Sequence, residues 1–156
     1  MVRLEVMELA SKQFTNTSSL IAYLQTIVNE TMLDEVATAG KLEEQEHVQE
    51  DIYNSGSPIH YKRRGFSPGS EGLGDINEME STLIENGTIE IVNKSEPKAY
   101  WDTPNSLATN IEMGYGNEWY SISRPFQQRT VESLEQNKKH VIALKAGLVK
   151  RGLTVV

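Results

Sequence analysis

Three histidines, 22 carboxylates and no cysteine set the limits of what this chain can do chemically. The lack of cysteine removes thiol nucleophiles, iron–sulfur clusters, cysteine zinc sites and disulfides, and fits a reducing cytoplasm. His47, His60 and His140 are far apart, and none stands in the HExxH spacing that sets two imidazoles and a base on one helical face. His47 and Asp51 lie one helical turn apart and could share a metal or a proton, with an exposed polar pair as the plainer reading. Glu43, Glu44, Glu46, Glu50 and Asp51 could seat a cation, yet they lack the turn glycine and alternating oxygen ligands of a calcium loop. Gly65, Gly69, Gly72 and Gly74 suggest a phosphate loop, but no Gly-Lys-Ser/Thr follows and no apolar strand precedes them. Serines are plentiful, yet no base can be assigned to any of them by spacing. Asp75 and Glu78 could share acid–base work, a pairing that any acidic chain supplies by chance. Spacing therefore assigns no catalytic residue, no cofactor and no metal ligand.

Binding chemistry is better represented. Lys62-Arg63-Arg64, flanked by Tyr61 and Phe66, could touch a nucleic-acid backbone while the rings stack on bases. In an acidic protein we favour insertion into a protein partner, because tyrosine and arginine concentrate binding energy at interfaces. Asn16, Asn29, Asn86 and Asn93 each open an Asn-x-Ser/Thr sequon, which without a secretion signal is no indication of glycosylation.

With 156 residues the chain is expected to form a single domain, 1–156, able to bury roughly 70% of its unfolded surface. No run approaches the roughly 18 apolar residues of a membrane span and Met1–Glu5 has no signal-peptide core, so no membrane partner is expected. The net charge of -7 argues against tight wrapping of nucleic acid. It is also segregated. Between Arg124 and Arg151 seven basic residues face two acidic ones, and the densest acidic stretch is 43–51. One reading is two solvated helix faces; the other is complementary patches that meet between copies, head to tail, as in a closing ring.

These residues need elements to hold them. Val2, Leu4 and Val6 alternate as in a short strand. Leu20, Ile21, Leu24, Ile27, Val28 and Met32 form a helical stripe with Ser18 as N-cap. Gly40 interrupts the pattern, but Val48 and Ile52 continue it; if Gly40 is only a kink, the helix reaches about Tyr53 and about 54 Å. Residues 54–74, rich in turn formers, predict a long projecting loop. Asn86-Gly87 predicts a tight hairpin with two positive φ angles between strands at 81–84 and 89–92. Ile111–Met113 and Trp119–Ile122 suggest two further short strands. Pro125 opens a last helix to Arg151, about 40 Å long, with Leu134, Val141, Leu144 and Leu148 on one face. The order predicts an α+β fold: a small antiparallel sheet covered by a long N-terminal and an amphipathic C-terminal helix.

Three segments resemble the small neck proteins of long-tailed bacteriophages, the tail-completion or head-to-tail joining group. The first runs from Asp51-Ile52-Tyr53 through Tyr61-Lys62-Arg63-Arg64-Gly65 to Gly72-Leu73, similar to the family's Tyr-x-Arg-Arg-Gly loop and following Gly-Leu. The second is Leu107 to Gly114, which resembles the apolar-Glu-x-Gly stretch. The third is Arg124-Pro125-Phe126 at the head of an amphipathic helix that precedes Lys150-Arg151-Gly152-Leu153. Their order spans about the last two-thirds of the chain, and the sequence departs from the pattern where Phe66–Glu71 separates the basic cluster from Gly72-Leu73.

The resemblance implies a virion protein without catalytic residues, assembled in the host cytoplasm and placed at the head-to-tail interface. It implies a ring of copies, hexameric by preference and dodecameric as the alternative. The neighbours would be a head connector or stopper protein on one side and a tail terminator or tail tube protein on the other, with double-stranded DNA passing through the lumen without specific binding. An acidic lumen would repel phosphates and let the duplex slide. The expected interface residues are Tyr61, Lys62, Arg63, Arg64, Phe66, Glu112, Arg124, Phe126 and Arg129. The alternative expectation is a small cytoplasmic regulator that binds a protein or nucleic acid through its basic C-terminal helix; an enzyme ranks third.

Overall fold

The computed structural model describes residues 14–54, 67–96, 106–114 and 123–155. The expected strands near Val2–Val6 and Trp119–Ile122, and most of the 54–74 loop, lie outside them.

A single helix organises everything else. Helix α1 (Thr17–Thr31) passes through a π-turn (Met32–Val36) into α2 (Ala37–Val48) and ends in a second π-turn (Gln49–Tyr53), about 55 Å of continuous helix. Its N-cap is Asn16, two residues before the expected Ser18, because the extended Asn16 backbone lets its side chain accept from Ser19 N at 2.8 Å. The π-turns adjust the buried face. Ile27, Thr31, Val36, Gly40, Glu44, Val48 and Ile52 are all buried, stepping by four except across the first π-turn, where the step is five. One extra residue there keeps the inner stripe from drifting around so long a helix. Gly40 does not break the helix: an added Cβ would lie 2.6 Å from Ile91 Cδ1, so this glycine lets the hairpin approach.

The hairpin consists of β1 (Met79–Glu85) and β2 (Thr88–Asn93), antiparallel, with Met79 opposite Asn93, Ser81 opposite Ile91 and Leu83 opposite Ile89. Those pairs include Met79, Asn93, Ile89 and Ile91 on the side packed against α2, while Glu80, Thr82, Ile84, Glu90 and Val92 are exposed. The turn differs from expectation. Gly87 alone of the Asn-Gly pair has positive φ, 75°, and the register shifts between Leu83 and Glu85, so a bulge absorbs the twist that a doubly left-handed turn would have supplied.

Ile111–Met113 is not a strand. It ends helix α3 (Leu107–Met113), whose N-cap Ser106 accepts from Thr109 N at 3.2 Å and whose end is closed by Gly114 at φ 70°. The expected single C-terminal helix is divided at Lys138 into α4 (Phe126–Asn137) and α5 (Lys139–Lys150). Lys138 takes φ 58°, and Asn137 Oδ1 accepts from Lys139 N at 2.9 Å, so a local amide supports a left-handed conformation that disfavours lysine. Helix α4 packs on α2, and α5 packs on the π-turn, α2 and the end of α1.

Val48, Ile52, Leu73, Ala108, Ile111 and Phe126 form the main core, where the far end of the long helix meets α3 and the start of α4. Beside it lies a buried polar clasp. Asn93 Nδ2 donates to Glu44 Oε1 at 2.9 Å and to the Leu73 carbonyl at 2.8 Å, Ser95 Oγ donates to the Gly72 carbonyl at 3.1 Å, and Gln45 Nε2 donates to the Gly74 carbonyl at 2.6 Å. Residues 72–75 are therefore buried rather than part of a projecting loop.

Candidate functional site

The acidic and basic stretches do meet, but within one chain. On α2, Glu43 receives Lys139 Nζ at 2.5 Å, Asn137 Nδ2 at 2.8 Å and the Ser133 hydroxyl, while Glu46 takes Lys139 at 3.3 Å. Arg129 reaches Glu50 at 3.3 Å and pairs with Asp51. Arg151 meets Glu35 at 2.6 Å, Asp34 at 2.5 Å and Glu30 at 3.7 Å, with Lys150 on Glu35 at 3.3 Å. The long helix thus carries the acids and α4–α5 the cations that hold it. The charge segregation needs no second copy to explain it, which removes its weight as an argument for head-to-tail contact.

Titration follows from these partners. Burial pushes the Glu43 carboxyl up, but Lys139, Ser133 and Asn137 outweigh it and hold it below the usual range. Glu35 behaves likewise: burial raises it, and Arg151 and Lys150 bring it below the usual value. The Lys139 ammonium is held up chiefly by its hydrogen bond to Glu43. Glu44 goes the other way, pushed up by burial and by the charge of Glu112, with the Asn93 amide offsetting only part.

Of the expected interface residues, Tyr61, Lys62, Arg63, Arg64 and Phe66 lie outside the described residues. The structure gives the others internal partners or places. Phe126 is fully buried in the core. Glu112 caps α4: its Oε2 accepts from Gln127 N at 2.9 Å and its Oε1 from Gln128 N at 3.1 Å, serving a helix whose N-cap is Pro125 and has no side-chain cap of its own. Arg124 N donates to the Ile111 carbonyl at 3.0 Å, so the second and third motifs are stitched together. Arg129 belongs to the ion pairs just described.

The residues considered for chemistry are placed as follows. Asp75 is fully buried, and its oxygens accept from Glu71 N at 2.9 Å and Asn77 N at 3.0 Å, the work of a turn-forming carboxylate. His47 is buried, 4.0 Å from Glu43 and 3.7 Å from Glu50, with neither ring nitrogen hydrogen-bonded. Asp51, its expected partner, pairs with Arg129 instead. Among the described residues no three histidine, aspartate or glutamate side chains converge to hold a metal, and no helix is long and apolar enough to cross a membrane.

Two surface features escaped the sequence reading. An open groove of about 510 Å³ runs between the hairpin and α4, walled by Val36, Ile89, Ile91, Val131 and Leu134, with Gly40 beneath. The second is the N-terminal end of α1. Among the described residues the hairpin and the C-terminal helix meet it at Val28–Thr31, through Gly87, Gly147 and Arg151, and Ile27 and Thr31 are its buried residues. Roughly ten residues, about 15 Å of helix, precede those contacts toward the N-terminus of α1. A mid-helix glycine such as Gly40 is a signal of close approach that could have pointed to the groove.

A family model described as YomN matches residues 16–150. No curated protein and no solved structure matches the chain.

Proposed function

Since the chain belongs to the YomN family, a phage-derived family, we propose that it is a structural protein of the phage particle, placed in the neck, where a ring of copies joins the DNA-filled head to the tail and lets DNA pass. The observation that carries the reading is the exposed, uncharged apolar N-terminal end of the long helix. A chain that pairs its own charges yet exposes Leu20 and Ile21 near the start of α1 has a surface suited to assembly. The three motifs similar to neck proteins support the same reading, and two of them form one structural unit through Glu112 and Arg124.

A regulator that binds through its basic C-terminal helix is the weaker alternative. Four of the cations it would use, Arg129, Lys139, Lys150 and Arg151, are engaged by the long helix.

The test is direct. Purified particles should contain the chain, and antibody labelling followed by electron microscopy should place it at the head–tail junction. Deleting its gene should yield filled heads and free tails that do not join. Absence from particles, or normal infectious particles from the deletion, would overturn the proposal.

A further inference from the structure

The stretch from Phe14 to Asn29 has no charged residue, although charged residues make up 24% of the chain. It includes the N-terminal end of α1, where Leu20 is 37% and Ile21 50% exposed, with Phe14, 37% exposed, just before it. A solvated helix end in a protein of net charge -7 would ordinarily carry acids, because like charges keep copies apart. This end carries none. It presents an apolar ridge, Leu20, Ile21 and Leu24, on the uncharged end of the helix.

The groove between hairpin and α4 is the matching feature. Aliphatic side chains make up most of its exposed wall, Gln127, Thr130, Glu135 and His140 also line it, and Val131 is 57% exposed. It has no lysine or arginine to hold an acidic segment. Of its two carboxylates Glu44 is already engaged by Asn93, which leaves little to attract a basic one. An uncharged apolar helix fits that chemistry, and the chain itself supplies one.

A subunit cannot fill its own groove with this ridge. Leu20 and Val36 lie on one continuous helix, sixteen residues apart, hence about 24 Å. The ridge of one copy can therefore reach only the groove of another, and a contact between two different surfaces repeats from copy to copy until it closes.

We propose that the exposed N-terminal end of α1, through Leu20, Ile21 and Leu24, docks into the groove between the hairpin and α4 of a neighbouring copy, forming a head-to-tail contact. Its purpose in the particle rests on the neck reading; the contact itself does not. It excludes water from apolar surface on both sides and breaks none of the internal ion pairs.

The test uses two variants of the full chain, each altered where the side chain is exposed: Leu20→Glu with Ile21→Glu on the ridge, and Val131→Glu in the groove. Circular dichroism and thermal unfolding should be close to wild type for both. In sedimentation velocity the wild-type chain should self-associate, and each variant alone should associate on the order of a hundredfold more weakly, since a carboxylate is forced into apolar contact. Mixed in equal amounts the two variants should form one-to-one dimers and nothing larger, because only one intact ridge and one intact groove remain. Failure of the mixture to pair would mean a symmetric contact or a foreign partner, and would overturn the proposal. So would a monomeric wild type, its groove then empty or filled by its own chain, or variants that associate as wild type does. Rings seen in particles despite both variants would leave the neck reading standing without this contact. Complementary pairing in a chain absent from particles would leave the contact standing without the neck reading.

Discussion

Asn29 holds Gly87 from fifty-eight positions away: its Oδ1 accepts from the Gly87 N–H at 2.8 Å, while its Nδ2 donates to Asn86 Oδ1 at 3.0 Å. One side-chain amide on the long helix thus reads both residues of the hairpin turn. Because Asn86 does not adopt the left-handed conformation, the turn draws support from outside itself. Replacing Asn29 by Ala should lower stability by about 1 to 2 kcal/mol, the loss of two partly exposed hydrogen bonds. Asn29→Asp should lose less, since it still accepts from Gly87 and Asn86 can turn its amide nitrogen toward the carboxylate. Urea unfolding measures both, and an alanine variant as stable as wild type would show that the hairpin needs no such clamp.

Glu43 and Glu44 are neighbours on one helix with opposite dependence on pH. Glu43 is held below the ordinary glutamate value, so its contribution is present above the unfolded pKa and lost as pH falls through the folded one. Glu44 is held above it, so its contribution is fully present below the unfolded pKa and lost as pH rises through the folded one. Glu43→Gln should therefore destabilise at about pH 7, and the penalty should shrink in acid. Glu44→Gln keeps an oxygen for Asn93 and should be neutral or stabilising at about pH 7, an advantage that disappears toward about pH 4. Denaturant midpoints at the two pH values decide it. Equal shifts of the same sign for both variants would refute the assignment.

Gly147 marks a close approach between α5 and the long helix. An added Cβ would lie 2.5 Å from Thr31 Cγ2 and 2.8 Å from Glu35 Oε2. Thr31 is fully buried, and its hydroxyl is bonded to the Ile27 carbonyl at 2.8 Å, so it cannot swing away. Gly147→Ala should cost about 1 to 3 kcal/mol, although alanine is the better helix former by about 1 kcal/mol. Gly40→Ala meets only the mobile end of Ile91 at 2.6 Å and should change stability by less than about 1 kcal/mol. Thermal unfolding separates the two, and a more stable Gly147→Ala would mean that the helices do not pack this closely.

Periodicity revealed the elements better than their joints. The apolar stripe from Leu20 to Ile52 and the Asn86-Gly87 turn were readable because each reports a repeating or local preference. The break at Lys138 was not, since lysine is an ordinary helix residue and only the Asn137 amide beside it supports the turn. Ile111–Met113 read as a strand because three residues cannot distinguish a period of two from the last turn of a short helix; Ser106 and Gly114 were the informative signals. Charge segregation was legible, but its geometry was not: sequence shows that 43–51 and 124–151 complement each other without saying that one chain closes the pairs. The groove and its buried Glu44 depend on which faces meet, something no local pattern encodes.

Glu112 supplies the last prediction, because it joins two motifs that sequence reading kept apart. Its carboxylate accepts from Gln127 N at 2.9 Å and Gln128 N at 3.1 Å, and its own carbonyl accepts from Ser123 Oγ at 2.5 Å. Pro125 has no side-chain acceptor for the first turn of α4, and that turn carries Phe126 into the core. Glu112→Ala should therefore cost about 1 kcal/mol, with an upper bound near 2 kcal/mol, and should speed hydrogen exchange at the Gln127 and Gln128 amides more than elsewhere in α4. Glu112→Gln retains an acceptor oxygen but loses the negative charge that favours a helix N-terminus, so it should fall between the two. Should exchange at those amides remain unchanged in the alanine variant, the cap must come from elsewhere, and the link from α3 to α4 would rest on the Arg124 to Ile111 and Ser123 to Glu112 backbone-carbonyl hydrogen bonds and on the packing of Ile111 with Phe126.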